Sequence, residues 1–135
     1  MAKLKWDERF IVGIYSIDSQ HKKLIEIMID LWDAIESGKG RSIINEVIQS
    51  LLDYTRTHFV DEEKYMIQHS YPDYQQHKQD HDRFVQEITK QMMSYMDNKS
   101  VPTVKLLQFL AHWLVEHILV YDKKLGVYLR EKGIN

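Results

Sequence analysis

The sequence predicts an all-α fold, an antiparallel up-down-up-down four-helix bundle with an N-terminal arm. Three observations carry that expectation. Four long segments repeat apolar residues with the 3.6-residue period of a helix, and the main punctuation falls between them. The connections are short, which makes consecutive helices antiparallel neighbours. Only 5 glycines and 2 prolines occur in 135 residues, too few for the frequent turns of an all-β chain.

The elements follow in order. Residues 1–16 carry Trp6, Phe10, Ile11 and Ile14 without a helical cap signal, and read as an arm packed across the bundle. The first helix is predicted from about Asp18 to Ser37, with Ile25, Met28, Leu31, Trp32 and Ile35 on one stripe. Asp18 is its expected N-cap, and Gly38 and Gly40 its stop. The second runs from about Ser42 to His69, with Ile44, Val47, Ile48, Leu51, Leu52 and Tyr65 inward, and Ser70-Tyr71-Pro72-Asp73 breaks it. The third runs from about Tyr74 to Met96 through Phe84, Val85, Ile88, Met92 and Tyr95, and Asp97-Asn98-Lys99-Ser100 ends it. The fourth runs from about Pro102 to Arg130 through Leu106, Leu110, Trp113, Leu114, Ile118 and Leu125, with Pro102 suited to a first turn that needs no backbone donor. No repeat, linker or low-complexity tract interrupts them, so residues 1–135 read as one domain.

Composition narrows the chemistry. There is no cysteine, which removes disulfides, thiolate zinc sites, iron–sulfur clusters and cysteine nucleophiles together. The net charge of −2 lacks the basic excess of a nucleic-acid binder. No stretch approaches ~18 apolar residues, and the start has no apolar core of a signal peptide, so the expectation is a cytoplasmic protein that engages no membrane.

The 7 histidines are the informative residues. His21 occupies the core stripe of the first helix. His58 and Glu62 are i,i+4 on the second, and His77 and His81 are i,i+4 on the third. His117 follows Trp113 and Leu114 on the fourth. An i,i+4 pair points to one side of a helix, so its side chains can converge on one ion. In an antiparallel bundle these positions fall at the same end of the core. A lone inward histidine is ordinarily a hydrogen-bonded core residue, but a layer of them from four helices is costly to bury without a cation. Histidine and carboxylate ligation favours iron, manganese, zinc or copper over calcium or magnesium. Five imidazoles exceed what one ion takes, so two ions are expected. Glu-x-x-His, which ferritin-like di-iron sites need, is absent, and so is His-Glu-x-x-His. His69 and His112 lie off the layer and read as surface residues; Met92 and Met96 read as core filler.

The spacing of His21, then His58-Phe59-Val60-Asp61-Glu62, then His77-Lys78-Gln79-Asp80-His81, then His117-Ile118-Leu119-Val120-Tyr121-Asp122 resembles the hemerythrin family in its single-domain bacterial form. Trp6-Asp7, Gly13-Ile14, Ile17-Asp18 and Trp113-Leu114 add to the likeness, which covers nearly the whole chain. The resemblance implies a non-haem di-iron centre, oxo- or hydroxo-bridged, that binds O₂ reversibly. It implies His77, His81 and His117 as ligands of one iron, His21 and His58 as ligands of the other, and Glu62 and Asp122 as bridges. The three-histidine iron then reaches six ligands and the two-histidine iron five, which leaves one open position for O₂. Proton movement within the site would let O₂ enter without changing the net charge of a dry core. Leu114, Trp113, Ile118 and Phe59 are implied as walls of the O₂ pocket.

His117 and Asp122 are i,i+5, about 140° apart on a regular helix. Both can face one metal pair if the helix widens, so a π-type irregularity is expected between Leu119 and Lys123. Reversible O₂ binding for storage, delivery or scavenging leads the functional expectations. An O₂- or redox-sensing module, a di-iron oxidase or peroxidase, and an iron or zinc store are the alternatives. A sensor read in cis would carry an appended signalling segment, which these residues do not show. An enzyme would need an acid, base or radical residue beside the open iron. No such constellation is visible, so no enzyme is expected, although 8 tyrosines leave a redox role open. The expected partners are O₂ and a protein that receives O₂ or a signal.

Overall fold

The computed structural model describes residues 4–39, 41–96 and 103–135. A short 3₁₀ turn, Glu8–Phe10, precedes helices α1 (Tyr15–Glu36), α2 (Arg41–Gln68), α3 (Tyr74–Met96) and α4 (Thr103–Glu116). A π turn, His117–Asp122, then leads without a break into α5 (Lys123–Glu131), so α4, the π turn and α5 form one wall of a four-walled bundle. No strand occurs among the described residues. No helix among them is long and apolar enough to cross a membrane.

Cross-helix contacts fix the directions. Ser16 meets Tyr65 while Gln20 meets Asp61, so α1 and α2 run antiparallel. Glu62 meets His77 while Phe59 meets Phe84, which reverses α3 against α2. Phe84 meets Phe109 while His77 meets Tyr121, which reverses the fourth wall against α3. The predicted stripes are buried at Ile25, Met28, Leu31, Trp32, Ile44, Ile48, Leu51, Leu52, Phe84, Ile88, Leu106, Leu110, Leu114, Ile118 and Leu125. Ile35, Val47, Tyr65, Val85 and Trp113 are half-buried and pack on that core from its edge. Gly40, Asp97-Asn98-Lys99-Ser100 and Pro102 lie outside the described residues, as do the side chains of Ser42, Met92, Tyr95 and Met96.

Two local expectations need correction. Asp18 does not cap α1, which begins at Tyr15 with Ile14 as its N-cap. The Asp18 carboxylate instead reaches back and accepts the backbone N–H groups of Val12 and Gly13 at 2.8 and 3.1 Å, pinning the arm where it turns into the helix. Ile11 does not pack inward but is 48% exposed, while Phe10, Val12 and Ile14 are the buried arm residues. Gly38 does end the first helix, at φ +66°, a conformation that costs glycine little. Ser70 leaves the second helix through the same left-handed region at φ 52°. The arm seats on α5 at Gly126, where a Cβ would collide with the Val12 carbonyl.

Candidate metal centre

The bundle brings all seven predicted ligand residues together. His21, His58, Glu62, His77, His81, His117 and Asp122 are each 0–2% exposed, from four walls at one end of the core. α1 supplies His21 near its start and α2 supplies His58 and Glu62 toward its end. α3 supplies His77 and His81 near its start, and the π turn supplies His117 and Asp122. That turn is the predicted irregularity. The Lys123 N–H is accepted by the Ile118 carbonyl five residues back rather than four. The wider turn carries position i+5 round to the side of position i, so His117 and Asp122 share the inner face.

The two carboxylates divide their oxygens between two groups of imidazoles. Glu62 Oε1 lies 3.0 Å from His77 Nε2, 3.1 Å from His81 Nε2 and 3.8 Å from His117 Nε2. Glu62 Oε2 lies 3.0 Å from His58 Nε2 and 3.4 Å from His21 Nε2. Asp122 repeats the division, with Oδ1 at 3.0 and 3.1 Å from His77 and His117 and Oδ2 at 2.8 Å from His21. Two donor sets result, Glu62-His77-His81-His117-Asp122 and His21-His58-Glu62-Asp122, with ligand atoms within 4.8 Å of one another in each. Both carboxylates belong to both sets.

Several of these atoms are close without being aligned as hydrogen bonds. His21 Nε2, His58 Nε2, Glu62 Oε2 and both Asp122 oxygens are buried and lack a hydrogen-bond partner. Buried polar atoms left this way carry a full desolvation cost unless something else satisfies them. The Nε2 atoms of His81 and His117 are 3.1 Å apart. Two nitrogens each ~2.1 Å from one ion and at right angles to each other stand about 3 Å apart. Imidazole and carboxylate donors with no thiolate suit a first-row transition metal, so the residues fit a pair of such ions.

Without metal the site holds protons instead. Burial opposes a charge on His21, but the Asp122 and Glu62 carboxylates outweigh it and push its pKa up to about 9. Burial opposes a charge on His77 as well, and the Asp122 and Glu62 carboxylates against its ring again raise it to about 9. His117 is raised well above its ordinary value, with burial overcome by Asp122, Asp80 and Glu62. For His58 burial prevails and the pKa falls. Burial also opposes ionisation of Glu62 and Asp122, but the surrounding imidazoles hold both below the usual carboxylate range.

A narrow cavity lies beside the two-histidine set. Its apolar lining comes from Leu24, Met28, Leu51, Phe59, Phe84, Leu110, Trp113 and Leu114, and it touches His21, His58, His117, Asp122 and Thr55. Its free volume of about 10 Å³ is roughly the room of one water-sized molecule. Of the residues expected to wall an O₂ pocket, Leu114, Trp113 and Phe59 line this cavity, whereas Ile118 is buried but is not among its walls. The indole of Trp113 stacks on His117 at 4.5 Å and the Phe59 ring stacks on His81 at 3.8 Å. His112 is exposed and pairs with Glu116, while half-buried His69 accepts the Tyr128 hydroxyl at its backbone carbonyl. The sequence reading missed the residues behind the imidazoles, Gln20, Glu63 and Asp80, and the far walls of the cavity.

Comparison with known proteins agrees with this geometry. The hemerythrin HHE cation binding domain matches residues 12–129. A bacteriohemerythrin of Pseudomonas aeruginosa is 36% identical over 118 residues, covering 87% of this chain and 76% of its own. The bacteriohemerythrin of Methylococcus capsulatus is 30% identical over 127 residues, covering 93% and 96%. A crystal structure of wild-type hemerythrin superposes with a TM-score of 0.88 at 29% identity, covering 95% of this chain and 98% of that one.

Proposed function

The chain belongs to the hemerythrin family, and from that premise we propose that it binds O₂ reversibly at a di-iron centre, for storage, delivery or scavenging in the cytoplasm. The division of each carboxylate between two imidazole groups carries the reading, because a carboxylate so placed bridges two ions. His77, His81 and His117 would hold one ion, His21 and His58 the other, with Glu62 and Asp122 across both. When bound, a ferrous pair supplies the two electrons that reversible capture of O₂ requires.

The chain's own residues do the rest. Three imidazoles against two make the halves unequal, and the cavity borders both imidazoles of the half with fewer donors, His21 and His58, and only His117 of the other. Leu24, Met28, Phe59 and Leu114 give it apolar walls that admit a small uncharged molecule and disfavour water and anions. Thr55 is the one polar lining residue outside the donor set, and it is a weak acid and base. That favours a binding protein over an oxidase or peroxidase, which needs a titrating group beside the reacting atoms. The test is to load the protein with iron, reduce it without air, and admit O₂. Two irons per chain and an O₂-dependent charge-transfer band that disappears under argon are expected. One ion per chain, or a band that does not reverse, would refute the proposal.

A further inference from the structure

The five imidazoles differ in what stands behind them. His117 Nδ1 lies 2.7 Å from Asp80 Oδ2, and His81 Nδ1 lies 2.9 Å from Glu63 Oε2. His58 Nδ1 lies 2.6 Å from the Gln20 amide oxygen, and Gln20 Nε2 donates to Asp61 Oδ2 at 2.7 Å. His21 Nδ1 and His77 Nδ1 are buried without a hydrogen-bond partner. The three links follow one rule. Gln20 on α1 holds a ligand on α2, Glu63 on α2 holds one on α3, and Asp80 on α3 holds one in the π turn. Each holding residue is the chain neighbour of a donor, Gln20 of His21, Glu63 of Glu62 and Asp80 of His81. A helix therefore turns one residue toward the centre and the next toward the neighbouring helix's imidazole.

The links are unequal in charge. Both carboxylates that accept an imidazole N–H stand behind the three-histidine set, and the two-histidine set has a neutral amide. An acceptor at Nδ1 fixes the tautomer that presents the Nε2 lone pair inward. An anionic acceptor also makes that lone pair a stronger donor. We propose that Asp80 and Glu63 are positioning residues that make the His77-His81-His117 half the tighter-binding half of the centre, so that the ion beside the cavity is the more readily lost. This rests on the two-metal reading above but not on O₂ binding.

Release of Fe(II) to a ferrous chelator, followed without air on the loaded protein, tests it. Two phases are expected, and His58→Ala should remove the fast one. Asp80→Asn and Glu63→Gln keep a hydrogen-bond acceptor but remove the charge, and each should speed the slow phase about 10–100-fold. Asp80→Glu should restore it. Gln20→Glu combined with Asp61→Asn moves a carboxylate behind His58 while supplying it a donor, and should slow the fast phase. Metal-free Asp80→Asn should keep the helical content of the unaltered chain, although its melting temperature falls with the lost His117–Asp80 ion pair, so faster iron release is read on a folded protein. Two ions released at unchanged rates in both neutral variants would overturn the inference alone. A chain that takes up no iron would overturn the metal reading and this inference with it.

Discussion

Leu114→Ala separates a pocket wall from a core residue. Leu114 is 6% exposed and sits three residues before His117, lining the cavity with Phe59, Trp113 and Leu24. The substitution removes three buried carbons, worth about 2.4 kcal/mol at ~0.8 kcal/mol each, before any cost of the space left behind. Leucine-to-alanine changes in cores cost about 2–5 kcal/mol. The side chain already borders a void and loses contacts mainly on its packed side, so about 3 kcal/mol is expected by chemical denaturation. No donor is touched, and both irons should remain. Water gains access to a site whose walls had excluded it, so the O₂ adduct should autoxidise faster than in the unaltered protein at matched pH and iron content. Ile118→Ala is the control. Ile118 is fully buried but off the cavity, so it should lose comparable stability without the faster autoxidation. Equal rates in the two proteins, or a slower Leu114→Ala, would mean that Leu114 is packing alone.

Three further outcomes follow from the same geometry. Glu62→Ala or Asp122→Ala should lower the iron content of both sites together, because each carboxylate faces both imidazole groups; loss of one iron only, by metal analysis, would contradict the bridging role. His21 and His77 have folded pKa values of about 9 against an ordinary 6.5, so their contribution to the metal-free fold is full below pH 6.5 and lost as pH rises through 9. Thermal melts in chelator should therefore fall from pH 7 to pH 9 while the loaded protein holds, since the cations replace those protons; parallel curves would refute this. Gly126→Ala should destabilise the fold by about 1–3 kcal/mol through the Val12 carbonyl, and an unchanged denaturation midpoint would show that the arm yields.

What the sequence reveals about this site depends on which contacts run along one helix. The i,i+4 pairs His58–Glu62 and His77–His81 and the i,i+5 conflict between His117 and Asp122 are spacings within single helices, and the structure turns all six side chains into the core. Gln20, Glu63 and Asp80 are about 100° off the ligand face on their own helices, so a search for inward stripes passes over them. Their targets lie on the next helix, a relation set by packing rather than by spacing. Asp18 shows the same limit locally. Residue type marks it as a group that satisfies free backbone donors, but the donors are those of the arm behind it. The cavity is also a property of several helices at once, and the walls expected for it, Leu114, Trp113, Ile118 and Phe59, come from the family resemblance rather than from spacing along one helix.

The π turn sets the phase of everything after it. Buried positions run Leu110 and Leu114 before it, His117, Ile118 and Asp122 within it, and Leu125, Gly126 and Leu129 after it, the last set one residue later than an unbroken helix would place them. The extra residue lets Tyr121 lie against the His117 ring at 5.4 Å while Asp122, its neighbour, points into the centre. Straightening the turn without removing a residue would rotate α5 by about 100°. Asp122 would leave His21 and Gly126 would leave Val12 in the same movement. The N-terminal strap and the buried histidine–carboxylate cluster are thus indexed to one another through a single irregular turn, and a fault in either is felt at the other.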